Sequence, residues 1–118
     1  MAAMLRLSDL VAKAIARDGE YTAEELLAEC AAGRMQLWPG KDALAITQIK
    51  TRAGRKVLHV GIIAGCGEEL EQMEHAVAAW GKTQGCEAMT QTGRIGWRKV
   101  LKHRGWHETA VTMERAIT

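Results

Sequence analysis

The chain has 118 residues, 47% of them apolar and 25% charged, with a formal net charge of +2. This length suits a single domain, expected over residues 1–118, and the composition excludes a disordered polyelectrolyte or a collagen-like repeat. With no Phe and one Tyr, the interior must be built from aliphatic residues, Met and the four Trp, several of which, Trp97 and Trp106 among them, are expected to lie in the core.

The opening stretch, MAAMLRLSDLVAKAIARDGE, is broken by charge before any apolar run reaches the ~18 residues of a spanning helix, so a cytoplasmic protein with no membrane partner is expected. Leu10, Val11, Ala14 and Ile15 recur at helical steps behind a Ser8 cap, and Asp18-Gly19 ends the run, predicting a first short helix. Thr22 and Glu25 have the spacing of a capping box. Leu26, Leu27 and Cys30 make an apolar stripe, and Gly33 supplies a stop, predicting a second helix.

From Met35 the pattern changes. Met35–Trp38 predicts a short strand ended by Pro39-Gly40. Ala43–Arg52 and Lys56–Ile63 predict an antiparallel hairpin turning at Ala53-Gly54. Residues 57–63 are nearly continuous in apolar side chains, as in a strand covered on both faces, and Gly61 within them marks a bulge or a close backbone approach.

Ala64-Gly65-Cys66-Gly67 opens the best helix, with Leu70, Met73, Val77 and Trp80 on one face. Glu68, Glu69 and Glu71 stand at its start, where the dipole favours negative charge, and Gly81 and Gly85 bracket its end. Cys86–Met89 predicts a strand. Arg94–Arg104 predicts a helix with Trp97, Val100 and Leu101 on one side, stopped by Gly105. Thr109, Val111 and Met113 then alternate with Glu108, Ala110, Thr112 and Glu114, predicting a terminal strand over residues 106–117. Strand, helix and strand over Lys56–Met89 make a βαβ crossover. The expected fold is therefore α/β (α+β): two N-terminal helices, an antiparallel hairpin leading to a parallel pair at the centre of a mixed sheet, helices on both faces, and a last helix and strand.

Chemistry-bearing residues are sparse. Cys30, Cys66 and Cys86 form no C-x-x-C pair, and His59, His75, His103 and His107 form no H-E-x-x-H cluster, so neither a disulfide framework nor a metal centre is expected and the thiols are expected to be buried. Arg94, Arg98, Lys99, Lys102 and Arg104 bring five basic residues into eleven with no acid, so the rest of the chain is net negative. Arg94, Arg98 and Lys102 share a helical stripe with Lys99 beside it. This is either a solvated face or a weak, salt-sensitive contact for nucleic acid or an acidic protein.

The element order, the Gly-rich turn and the segment GRIGWRKVLKHRGW resemble the GNAT superfamily of N-acetyltransferases. Residues 7–33 resemble its paired N-terminal helices, Ile46–Ile63 the hairpin that supplies its central strand, and Val100–Trp106 the helix end that precedes its Gly-Phe, here Gly105-Trp106. The resemblance implies acetyl-CoA as cofactor, its pyrophosphate held by backbone N–H groups of the turn after the central strand. There the family pattern is Arg or Gln, two residues, Gly, one residue, then Gly or Ala. Ile62-Ile63-Ala64-Gly65-Cys66-Gly67 keeps the spacing with Ile in the basic place, so Gly65, Cys66 and Gly67 are the residues a cofactor would use. The family's general acid, a Tyr near the end of the last helix, corresponds to Leu101. Its general base, often a carboxylate on or beside the central strand, has no counterpart except His59. No catalytic residue is assigned on this pattern. The expectation is a degenerate GNAT-like domain with no cofactor. The alternative is an acetyl-CoA-dependent N-acetyltransferase with a reduced site, using Gly65 and Gly67 for the cofactor and His59 or a water as base.

Residues 32–40, AGRMQLWPG, together with the short turn and small size, resemble small GNAT-like proteins encoded by tailed bacteriophages, some from structural gene regions. This implies a host bacterial cytoplasm or a virion as setting. It also implies a protein partner, either other virion proteins or a second copy of the chain, met along the Met35–Trp38 or terminal strand.

Overall fold

The computed structural model describes residues 21–65, 67–92, 97–110 and 112–117; the helix predicted behind Ser8 lies outside them. The first described element is α1 (Ala23–Ala31), and Thr22 caps it as its spacing predicts, the hydroxyl accepting the Glu25 N–H at 3.1 Å. Gly33, at φ +78°, reverses the chain, and the N–H groups of Arg34 and Met35 both donate to the Glu29 carbonyl. Leu26 is buried, but Leu27, predicted on the same stripe, is 64% exposed because adjacent helical residues point about 100° apart.

Four strands follow: β1 (Gln36–Pro39), β2 (Ala43–Arg52), β3 (Arg55–Gly65) and β4 (Ala88–Gln91), arranged in the order β1-β2-β3-β4. The first three form an antiparallel meander. The crossover helix α2 (Gly67–Thr83) then brings β4 parallel to β3, and α3 (Trp97–Lys102) comes after it. The β2–β3 turn has Ala53 at φ 50° and Gly54 at φ 78°, the double positive-φ turn whose twist suits a two-residue hairpin.

Gly61 is the predicted bulge. Ile46 pairs with Ile62 and Thr47 with Val60, which leaves Gly61 as the extra residue on β3. The bulge changes the parity of β3. Ile62 and Ala64 join Leu26, Met35, Leu44 and Ile46 in the core under α1, whereas Val60 and Ile63 both face α2 with Ala45, Leu70 and Val77. His59, paired with Gln48, is thereby turned back to the α1 face. Without the extra residue it would point toward α2.

Helix α2 lies close to the sheet at Gly81, where an added Cβ would stand 3.0 Å from Leu58 Cδ2. Gly81 is therefore a packing position in the last turn of the helix, which ends at Thr83 with Gly85 at φ +81°, so the two glycines bracket its end as predicted. The connection into β4 uses residues 86 and 87. Cys86 donates its N–H to the Gly81 carbonyl and Glu87 donates to Lys56, so the strand predicted from Cys86 starts at Ala88.

The terminal strand is not formed. Residues 106–110 and 112–117 have no strand structure, and Met113 and Ile117 are 89% and 101% exposed, because alternation supplies an apolar face but no ladder partner. The parallel pair consequently stands at one end of the described sheet rather than at its centre. Trp38, Trp80 and Trp106 are also only half-buried, and the Trp97 side chain lies outside those described. Trp38 and Trp80 meet edge to face with centroids 5.8 Å apart. The Trp38 indole donates to the Thr47 hydroxyl at 3.0 Å, which donates to Gln36 Oε1 at 2.9 Å, so buried Thr47 is satisfied. Among the described residues no helix is long and apolar enough to cross a membrane.

Candidate functional site

Two places on this frame carry chemistry. The first is the turn from β3 into α2, where Gly65, Cys66 and Gly67 are the residues that a cofactor, if bound, would use. Gly65 has φ +109°, and a Cβ there would lie 2.1 Å from the Asp42 carbonyl oxygen and 2.5 Å from Ala43 Cα. Its missing side chain thus makes room for the chain's own backbone at the start of β2, with which it pairs. Gly67, the first residue of α2, faces open space. Cys66 lies outside the described residues.

The same turn is acidic. Glu69 accepts the backbone N–H groups of Lys41 and, at 2.9 Å, of Asp42, so a carboxylate from the first turn of α2 pins the β1–β2 loop. Gly40 makes this possible, since a Cβ there would fall 1.9 Å from Glu69 Oε1. Glu68 and Glu71 are exposed beside it. An incoming pyrophosphate would meet these carboxylates together with the helix N-terminus, and like charge at that distance opposes binding.

The second place is a pocket of about 230 Å³ on the α1 face of the sheet. Its floor includes Leu26, Ile46 and Ile62, and its wall is formed by Gln48, Lys50 and Arg52 of β2 with His59 of β3. Thr92, just after β4, and Thr112 of the C-terminal segment reach it as well. Gln48, His59 and Thr90 are cross-strand neighbours on three strands, and His59 Nδ1 lies 2.8 Å from Thr90 Oγ1. His59 is half-buried. Sequence reasoning found His59 but not its neighbours, although β2 carries the signal: its α1-facing positions change from Leu44 and Ile46 to Gln48, Lys50 and Arg52.

On the opposite face a cavity of about 40 Å³ lies between α2 and the sheet. The buried Nε2 of Gln91 and Nε of Arg104, two of its lining residues, have no hydrogen-bond partner among the described residues. Trp106 closes this side by donating from its indole to Glu74 at 2.8 Å. Leu101, in the place of the family's acid, has no proton to give; its carbonyl accepts the N–H groups of Arg104 and Trp106.

The predicted basic face is described only in part. Arg94 lies outside the described residues, and Arg98 is engaged by Glu108 in a two-point ion pair, which leaves Lys99 and Lys102 exposed on a helix of six residues. Glu108 sits beyond the stretch that was read as uniformly basic. The thiols of Cys30 and Cys86 are free and only half-buried, and burial, followed by the nearby Glu29 charge, pushes the Cys30 thiol up. Among the described residues no three His, Cys, Asp or Glu side chains converge as a metal site.

No protein-family model and no curated protein sequence matches the chain. Solved structures do. A tetramutant of the BH1408 protein from Bacillus halodurans superposes with a TM-score of 0.67 at 13% identity, over 98% of this chain and 91% of that one. An aminoglycoside acetyltransferase from an uncultured soil metagenomic sample, in complex with sisomicin, gives 0.66 at 9% identity, over 98% and 88%. Glucosamine-6-phosphate N-acetyltransferase from Arabidopsis thaliana gives 0.52 at 13% identity, over 65% of this chain and 58% of that one, so the chain spans less than two thirds of that enzyme. At these identities the likeness is one of fold, and the fold is GNAT-like: a mixed α/β domain around a four-stranded sheet.

Proposed function

We propose that the chain is a GNAT-fold binding protein without acetyl-transfer chemistry. The observation that carries this reading is Gly65, whose open side is filled by Asp42 and Ala43 rather than left to a ligand. Glu69 adds a carboxylate at the same turn, and Leu101 offers nothing to protonate a leaving thiolate. A domain of this kind acts through what its surface holds. The resemblance of residues 32–40 to phage-encoded proteins supports a structural or virion-associated role with a protein partner. Mass spectrometry of purified particles tests that role: the chain is expected at stoichiometric amounts, and its absence from particles removes the virion version.

One observation favours the second reading, a reduced N-acetyltransferase. His59 lines a pocket and is oriented by Thr90, as a base must be. In that reading an acceptor amine attacks the thioester carbonyl, His59 takes the amine proton, and the thiolate of CoA leaves. Thiol release from acetyl-CoA in the presence of primary amines separates the two readings. The binding-protein reading expects the rate without protein. A faster rate that His59→Gln abolishes establishes the enzyme.

A further inference from the structure

We propose that the pocket on the α1 face is a binding site for a small organic anion, a carboxylate or phosphate monoester carried on an apolar body. The proposal concerns the sheet face under α1 and rests on the reading without acetyl transfer, since in the second reading an acceptor amine would occupy this same pocket beside His59.

Among the described residues, the charged side chains of the pocket wall have one sign. Lys50 and Arg52 reach it from adjacent same-face positions of β2, and no Asp or Glu is among the described residues that line it. Neither cation forms an ion pair among the described residues, while three other basic side chains, Arg34, Arg55 and Arg98, each have a carboxylate partner. Lys50 is half-buried, so its charge is partly removed from water with no carboxylate among the described residues to balance it. A concave wall of one sign concentrates field and selects counter-ions. Gln48 and Thr92 add neutral donors beside the cations, suited to the remaining oxygens of a carboxylate or phosphate.

The floor sets the rest of the ligand. Leu26, Ile46 and Ile62 are buried core residues that also surface in the pocket, and an apolar chain or ring laid over them removes area from water. The volume, about 230 Å³, is below the ~300–1,000 Å³ of drug-sized pockets and fits a metabolite-sized body. The site is assembled by the fold. The Gly61 bulge turns His59 and Gly61 to this face, and the C-terminal segment brings Thr112 over it.

A backbone-amide NMR titration of the full chain at low ionic strength tests the site with three probes of equal chain length, hexanoate, hexyl phosphate and hexylammonium. Saturable shifts at Gln48, Lys50 and His59 are expected with one or both anions and not with hexylammonium, and the stronger anion identifies the head group. Replacing Lys50→Gln and Arg52→Gln together is expected to weaken the anion by about tenfold or more. If that variant does not fold, Arg52→Gln alone, at an exposed strand end, is expected to weaken binding measurably. Equal response to hexylammonium, shifts confined to other surfaces, affinity unchanged by the substitutions, or no response to any probe overturns the proposal.

Discussion

His59 and Thr90 are partners across the parallel pair of strands, the imidazole Nδ1 2.8 Å from the threonine hydroxyl. They meet because Gly61 adds one residue to β3 and turns His59 toward the α1 face. Thr90→Val keeps the shape of the side chain and removes the hydroxyl. It is expected to cost about 1 kcal/mol, with Thr90→Ser close to the parent, as measured by urea denaturation.

Gly65 and Gly67 separate by what surrounds them. Gly65→Ala drives a Cβ into the backbone of Asp42 and Ala43 at a positive φ. A loss of about 2–4 kcal/mol is expected. Gly67→Ala enters open space at the first helical residue and is expected to stay within about 0.5 kcal/mol of the parent. Thermal unfolding of the two variants reads the difference.

Glu69 ties α2 to the loop before β2. Glu69→Ala leaves the Lys41 and Asp42 N–H groups to solvent, with an expected cost of about 1–2 kcal/mol. Amide hydrogen exchange is expected to accelerate first at Lys41 and Asp42, ahead of the sheet, and uniform acceleration would contradict a local tie.

The end of α1 is expected to respond to pH. Arg34 grips Glu29 with hydrogen bonds at 2.7 and 3.0 Å, and this bonding, with the guanidinium charge, holds the Glu29 carboxyl below the usual carboxylate range against a smaller opposing effect of burial. Because the folded value lies below the unfolded one, the stabilisation is complete above the unfolded pKa of about 4.3 and is lost as pH falls through the folded value. Glu29→Gln is expected to remove this part of the acid-side slope in denaturation midpoints, and added salt to reduce it in the parent.

Local chemistry made much of the fold legible. Thr22 with Glu25 marked a cap, Ala53-Gly54 a tight hairpin and Gly61 a bulge, each a feature decided by a few neighbouring residues. The tail shows the limit: Thr109, Val111 and Met113 alternate as a strand does, yet pairing depends on a partner edge that alternation cannot supply. The site was less legible than the fold. The sequence left Gly65 open to either a ligand or a turn because Asp42, the group that fills its open side, is distant in sequence. Gln48, Lys50 and Arg52 read as an ordinary strand face until α1, β3 and the C-terminal segment closed around them.

In the proposed reading the β3–α2 turn serves the fold and not a cofactor. Calorimetric titration of the full chain with acetyl-CoA and with CoA at moderate salt tests it most directly. The account predicts no saturable heat from either ligand. Saturable binding of acetyl-CoA that Gly67→Leu abolishes, in a variant that still melts as the parent does, would contradict it.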